Sequence, residues 1–134
     1  MATSPQYAAS VAVGAVLLNA TETNLQVPTA ASVVLTAGAN GTKVEEIVVQ
    51  ASKTTLISTT VAGLVYIFMY TGSTYYNFYN FTVTAITGSA TVSGYRSSAV
   101  FNNLFLPSGW SIYASQSEAS NAGVLEVFCL GGSY

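Results

Sequence analysis

Residues 64–87 read Leu-Val-Tyr-Ile-Phe-Met-Tyr-Thr-Gly-Ser-Thr-Tyr-Tyr-Asn-Phe-Tyr-Asn-Phe-Thr-Val-Thr-Ala-Ile-Thr. Two runs rich in aromatic and β-branched residues flank a short turn that contains Gly72. This arrangement is the signature of a β-hairpin. Alternation along the first run places apolar or aromatic side chains on both faces, so we expect both faces to pack against something.

The second run of the hairpin is rich in tyrosine and asparagine. If its side chains alternate strictly, one face has Tyr75, Asn77, Tyr79, Phe81 and Val83. The other face then has Tyr76, Phe78, Asn80, Thr82 and Thr84. We expect a β-protein that binds a partner through a Tyr-rich, almost uncharged surface. The interface candidates on this run are Tyr75, Tyr76, Asn77, Tyr79 and Asn80.

The composition favours a protein that is packed permanently against neighbours. A chain of 134 residues predicts one domain, and only 6% of its residues are charged while 51% are hydrophobic. A typical soluble domain has about 25% charged residues. The alternative is a secreted, Thr-rich β-domain that tolerates low charge. The net charge is −2 and there are three basic residues, so we expect no nucleic acid as partner. The chain contains no basic amphipathic stretch of the kind that binds a membrane surface.

The residue inventory argues against catalysis. The chain has no His and no Asp, and Cys129 is its single cysteine. Ser-His-Asp and Cys-His systems are therefore impossible within one chain, as are zinc sites built on His or several Cys. Glu45 and Glu46 are adjacent, so on a strand they point to opposite faces. We expect no enzyme activity, no catalytic residues, no metal and no cofactor.

The order of apolar runs and turns predicts an all-β chain. About eight strands are separated by turns at intervals of roughly 8–12 residues, which is typical of a sandwich or barrel. The Asn-Gly pair at 40–41 is a strong turn signal. We assign residues 31–134 to a single antiparallel β-sandwich domain, with residues 131–134 as a flexible end. No run is long enough for a transmembrane helix.

Residues 1–30 are predicted to be an N-terminal arm or a first strand. Residues 1–6 are expected to be extended or disordered. Val11, Val13, Val16 and Leu17 lie in an apolar run that cannot form its own core, although burying each large side chain is worth roughly 1.5–3 kcal/mol. We expect this run to pair with a sheet edge of the body, of a neighbouring subunit or of a shell beneath. A weak helix is the alternative.

Several segments together resemble small structural proteins of tailed bacteriophages and prophages. They are Ala-Asn-Gly-Thr-Lys-Val at 39–44, Ala-Gly-Leu-Val-Tyr-Ile-Phe-Met-Tyr-Thr-Gly at 62–72, Val-Thr-Ala-Ile-Thr-Gly-Ser-Ala-Thr-Val at 83–92, Leu-Phe-Leu-Pro-Ser-Gly-Trp-Ser-Ile at 104–112, and the closing Gly-Gly at 131–132. They cover roughly the last two-thirds of the chain, and Leu-Pro-x-Gly-Trp-Ser is the most specific. This chain departs from the group by having Thr71-Gly72 where members have Asp-Gly, by its Tyr-rich strands and by having fewer Arg and Asp.

The resemblance implies a virion structural protein without catalytic residues. It implies a decoration or cement protein on the surface of the phage head, folded as a jelly-roll-like homotrimer and bound to the major capsid protein or to other virion proteins. A tail, fibre or baseplate component is the first alternative. The second is a carbohydrate-binding module that stacks sugars on Tyr75, Tyr76, Tyr79 or Trp110. For Trp110 and Phe68, ordinary packing within the protein is the favoured interpretation.

Overall fold

The structure is a computed structural model that describes residues 8–52 and 59–134. The extended start predicted for residues 1–6 and most of the Thr-rich stretch before the hairpin lie outside the described residues. Ten strands are present in the described part: β1 (Ser10–Leu17), β2 (Ser32–Thr36), β3 (Thr42–Ala51), β4 (Thr59–Thr60), β5 (Gly63–Tyr70), β6 (Tyr75–Val83), β7 (Ile86–Thr87), β8 (Arg96–Leu106), β9 (Ser111–Gln116) and β10 (Leu125–Ser133). A single 3₁₀ turn, Ala119–Asn121, precedes β10 in this described part.

The eight longer strands form two antiparallel sheets of four. Sheet A has the order β1-β10-β3-β8, and sheet B has the order β2-β9-β5-β6. The short strands β4 and β7 pair with each other beside them. This alternation between two four-stranded sheets is the topology of a jelly roll. The predicted all-β, single-domain antiparallel sandwich is therefore confirmed, with ten strands in the described part where about eight were predicted, and the hairpin at residues 64–87 forms β5 and β6.

The core lies between the two sheets and consists mainly of aliphatic side chains. Alternation along the central strands directs every second residue inward. Sheet A contributes Val44, Ile47, Val49, Leu106, Val127 and Cys129, and sheet B contributes Val65, Ile67, Phe81, Val83, Ile112 and Ala114. Trp110 packs against this core from its margin, and Phe68 is fully buried. Trp110 and Phe68 therefore both pack within the protein, as the sequence predicted.

The N-terminal apolar run is the first strand of the body. All eight residues of β1 pair with β10 of the same chain, from Ser10 opposite Ser133 to Leu17 opposite Glu126. Val16 packs against the core, whereas Val11 and Val13 are exposed. Of the forms considered for residues 10–17, the structure therefore shows a strand paired with a sheet edge of the body.

The C-terminal residues continue β10 instead of forming a flexible end. Strand β10 extends to Ser133, and the Tyr134 amide donates to the Gly41 carbonyl at 3.2 Å. A Cβ atom at Gly131 would collide with the Lys43 carbonyl of β3. The glycine therefore allows the close backbone approach that keeps the two strands paired across a β-bulge. The expectation of a flexible end at residues 131–134 is wrong for this reason.

A β-bulge in the hairpin changes which side chains share a face. The pairing of β5 with β6 shifts at Phe78, because Ile67 lies opposite Tyr79 while Phe68 lies opposite Asn77. Strict alternation is lost at this point, as expected when one extra residue is inserted into a strand. The predicted grouping of Tyr75, Asn77 and Tyr79 on one face is therefore wrong, because Tyr79 turns to the side of Ile67.

The connection between β1 and β2 is held by the buried carboxylate of Glu22. One oxygen accepts hydrogen bonds from the Thr23 and Asn24 amides at 3.0 and 3.1 Å, and the other accepts from the Ala30 amide at 2.7 Å. Burial raises the pKa of this carboxyl, but the backbone N–H groups lower it by more, so its pKa lies below the usual value. The donors are those of Ala30, Asn24, Thr23 and Thr29.

Replacing Glu22 with Gln is expected to lower the free energy of unfolding at pH 7 by about 1–3 kcal/mol, because one buried N–H loses its acceptor. The lowered pKa also predicts the pH dependence. The stabilisation by the carboxylate is present above the unfolded-state pKa of about 4.3 and is lost as the pH falls through the lower folded-state value. Urea unfolding between pH 7 and pH 2 measures both effects.

The matched control is Glu45→Gln, which changes an exposed carboxylate. On acidification, Glu45→Gln should lose as much stability as the parent chain does. Glu22→Gln should lose less, because its amide does not titrate. If Glu22→Gln unfolds with the parent profile at every pH, the carboxylate does not hold this connection.

Candidate interaction surfaces

Sheet A has apolar side chains on its outer face as well as on its inner face. Cross-strand pairing places Val13, Leu130, Glu46 and Val100 side by side in one row. The neighbouring row consists of Ala15, Phe128, Val48 and Ser98. We call the outer face formed by these two rows and by the flanking rows, with Leu17 and Arg96 at one end and Val11 and Phe105 at the other, face A.

Face A exposes large apolar groups to solvent. Val11 is 81% exposed, Val13 60%, Val100 70% and Phe105 48%. Scattered exposed apolar residues are normal, but a continuous apolar area on one sheet face is typical of an interaction site. The described residues contain no segment that covers this face.

Two shallow depressions lie on either side of the Phe128 ring. One, of about 230 Å³, is bordered by Ala15, Leu17 and Glu126. The other, of about 240 Å³, is bordered by Val48, Gln50 and Arg96. The small side chains of Ala15 and Ser98 occupy the outer columns of the same row as Phe128, so the centre of face A consists of one aromatic ridge between two hollows.

Most of the charged groups that the structure describes lie on sheet A. Apart from Glu22 and Glu118, every charged residue in the described part of the chain lies on this sheet. The Lys43 ammonium lies 4.0 Å from the Glu45 carboxylate near one end, and Glu126 and Arg96 share a row at the other end. The Glu46 carboxylate lies in a central row, between Leu130 and Val100, so charge reaches the middle of face A as well as its ends.

The outer face of sheet B, which we call face B, carries a cluster of aromatic rings. The Tyr70 and Tyr75 rings stack with centroids 4.3 Å apart, and the Tyr113 ring meets each edge-on at 5.4 and 5.2 Å. Phe68 lies beneath, 6.3 Å from Tyr75. Burial, followed by the neighbouring Tyr113 and Tyr70, raises the pKa of Tyr75. These rings pack mainly against one another.

The bulge at Phe78 brings two asparagines of face B together. The Asn77 side-chain amide donates to the Asn80 side-chain oxygen at 2.9 Å and to the Ile67 carbonyl at 3.0 Å. A groove of about 440 Å³ runs beside them, lined by Leu25, Gln26 and residues 74–77. Face B is therefore uncharged and combines amide groups with phenol rings.

The structure divides the interface candidates from the sequence between opposite sides of the sandwich. Val11, Val13 and Leu17 are on face A, and Val16 points to the core. Tyr75, Asn77 and Asn80 are on face B. Tyr79 packs edge-on against Phe81 and Phe101, at centroid distances of 4.9 and 5.5 Å, beside the β8 edge, and Tyr76 is 57% exposed near the hairpin turn.

Sequence reasoning missed the residues that complete face A. Phe128, Leu130 and Val100 come from distant strands, and only the sheet order places them beside Val13. A signal was present in residues 43–51, because neither face of that strand is purely polar. Which neighbours would share the outer face could not be read from that strand alone.

The described residues contain neither an activated thiol nor a cluster of metal ligands. The Cys129 thiol is buried in the core, and burial raises its pKa to about 12, so the nucleophilic thiolate is suppressed. Among the described residues, no group of three or more Cys, Asp or Glu side chains converges as a metal site would require. Within the same residues, no helix is long and apolar enough to cross a membrane.

The ring contacts predict different roles for two adjacent tyrosines. Tyr75→Ala removes a stacked and an edge-on aromatic pair and should lower the free energy of unfolding by about 2 kcal/mol. The control Tyr76→Ala changes an exposed ring and should cost less than about 0.5 kcal/mol. Urea unfolding followed by far-ultraviolet circular dichroism compares the two. Equal losses would contradict the assignment of Tyr75 to internal packing.

Comparison with known proteins found no relative: no family model, no curated protein and no solved structure matches the chain.

Proposed function

We propose that this chain is a structural protein of a tailed-phage virion that decorates or cements the head shell. The observation that carries the proposal is the pair of outer sheet faces, one apolar and one rich in Tyr and Asn, on a jelly roll that is almost uncharged elsewhere. Surfaces of this kind suit permanent contact with neighbours better than free diffusion. No reaction is part of the proposal.

Face B is the surface that we assign to the shell. Its exposed Asn80 and partly exposed Asn77 offer amide donors and acceptors, and the neighbouring tyrosines offer large rings of low conformational entropy. A neutral surface of this type can follow the polar outer surface of a capsid protein without desolvating charge. The partner in the proposal is the major capsid protein or another head protein.

A tail, fibre or baseplate location would use the same faces, so the choice between head and tail depends on which part of the particle binds the chain.

A carbohydrate-binding module is a second candidate because of the groove beside Tyr76 and Asn77. The mutual packing of Tyr70, Tyr75 and Tyr113 favours the structural role, because these rings stack on one another instead of presenting free faces to a sugar. A glycan array separates the two candidates.

The test for the proposed function is co-sedimentation of the chain with undecorated heads of the phage that encodes it. Asn80→Lys should weaken binding about tenfold or more, because it places an unpaired charge in a neutral contact. The matched control Asn40→Lys adds the same charge at the exposed turn before β3 and should bind as the parent does.

Binding to isolated tails but not to heads would replace the head assignment with the tail alternative. If the parent chain binds neither heads nor tails, or a glycan captures it and Asn80→Lys abolishes that capture, the proposal of a virion role is wrong.

A further inference from the structure

We propose that Asn40 is a site of spontaneous deamidation, and that the contacts of Gly41 restrict the reaction to molecules in which the turn at residues 38–42 has opened. The inference goes beyond the proposed function, because it concerns a covalent change within the chain and requires no partner. Its support is the reactive pair in the sequence, together with the hydrogen bonds and ring contacts that hold this pair in the structure.

Asn40 has the least shielded reaction partner among the asparagines of the sequence. It alone is followed by glycine, so no side chain at the next position covers the main-chain nitrogen. The other asparagines precede Ala, Leu, Phe or a second Asn. Asn40 is also exposed, at the turn between β2 and β3, where water reaches its side-chain amide. Asparagine is among the thermolabile residue types of proteins.

Deamidation at Asn40 requires only water as co-reactant. The Gly41 main-chain nitrogen attacks the side-chain carbonyl carbon of Asn40, which forms a C–N bond and closes a succinimide ring. The bond to the side-chain nitrogen breaks, and this nitrogen takes up the proton of the Gly41 N–H and leaves as ammonia. Water then hydrolyses either carbonyl of the ring, which gives aspartate or isoaspartate.

The attacking nitrogen is engaged in the folded turn. The Gly41 N–H donates to the Gly38 carbonyl at 3.0 Å, and the Gly41 carbonyl accepts from the Tyr134 N–H at 3.2 Å. To react, the nitrogen must lose its proton and turn toward the Asn40 side chain, so the hydrogen bond to Gly38 has to break first. The contact with Tyr134 holds Gly41 in place from its other side.

Ring contacts restrict the backbone of Gly41 further. Its φ of 91° lies in the region that favours glycine, and a Cβ atom there would collide with the Phe105 ring. The centroids of the Phe105 and Tyr134 rings are 5.9 Å apart. Gly41 therefore lies against β8 and is also tied to the end of β10, so its backbone cannot rotate freely in the folded chain.

Buried side chains link the turn to the pairing of β3 with β10. The Thr42 Oγ1 accepts from the Gly38 N–H at 2.9 Å and shares a hydrogen bond of 2.9 Å with the Ser133 hydroxyl. Thr42 is fully buried and lies opposite Ser133 in the ladder. The turn can therefore open only together with this strand end, and local openings of this kind control the reactions of protected groups.

The deamidation rate is measured by incubating the chain at constant pH and temperature, followed by liquid chromatography and mass spectrometry of its peptides, which separate Asn, Asp and isoaspartate. Asn40 should react before any other asparagine. In the folded chain it should react at least about tenfold more slowly than in the same chain unfolded in urea, because only opened molecules react. An added reference peptide with an Asn-Gly pair corrects for the effect of urea on the chemistry.

Variants at the end of β10 test the restraint. Tyr134→Pro removes the amide donor to Gly41 and the ring beside Phe105. It should accelerate the reaction about threefold to tenfold, as expected for the loss of a hydrogen bond. Ser133→Ala removes the partner of Thr42 and should also accelerate the reaction. The matched control Tyr134→Phe keeps the amide and a ring and should react at the parent rate. Circular dichroism verifies that the variants are folded.

Equal rates in the folded and the unfolded chain overturn the proposal, as does an earlier reaction at another asparagine. The restraint by the end of β10 is contradicted if Tyr134→Pro and Ser133→Ala both react at the parent rate. None of these results affects the proposed function, because head binding is measured through face B.

Discussion

The structure depends on the fact that the two central strands of sheet A, β3 and β10, close the core with one face and still have large apolar side chains among the polar ones on the other face. Ile47, Val49 and Val127 close the core on the inner side, while Val48, Phe128 and Leu130 alternate with them on the outer side. A sheet with one solvated face normally alternates apolar with polar residues. Here sheet B covers only one side, so the fold of a single chain leaves the other side uncovered. The proposed function rests in part on this imbalance.

Backbone irregularities decide where several of the remaining side chains point. In β6 the bulge at Phe78 places Asn77 and Asn80 on the same face and turns Tyr79 toward the core side. In sheet A the pairing of β3 shifts near Glu45, and the pairing of β10 shifts at Gly131. The contact of Lys43 with Glu45 arises at the first of these shifts. Bulges of this kind redirect side chains without changing the sheet order.

The connections at one end of the sandwich are held by buried polar side chains rather than by ion pairs. The Asn121 side chain accepts from the Val61 amide at 2.8 Å and donates to the Val61 carbonyl at 2.9 Å. Glu22 binds three backbone amides in the same manner. Satisfied hydrogen bonds of this type fix loops without ion pairs. Apart from Glu118, the exposed or half-exposed charged groups that the structure describes lie on sheet A.

The sequence by itself determined the class of fold. The hairpin at residues 64–87, the turn at Asn40-Gly41 and the spacing of the apolar runs depend on local rules of period and turn geometry. The sandwich and about eight of its ten described strands could therefore be predicted, and a strand was one of the forms predicted for residues 10–17. The tertiary structure decided the surfaces. Face A joins Val13, Phe128 and Val100 from strands that are distant along the chain, and the bulge at Phe78 depends on the pairing with β5. Non-local strand order and register are set by the packing of the whole core, and a period-2 pattern in one strand does not contain that information.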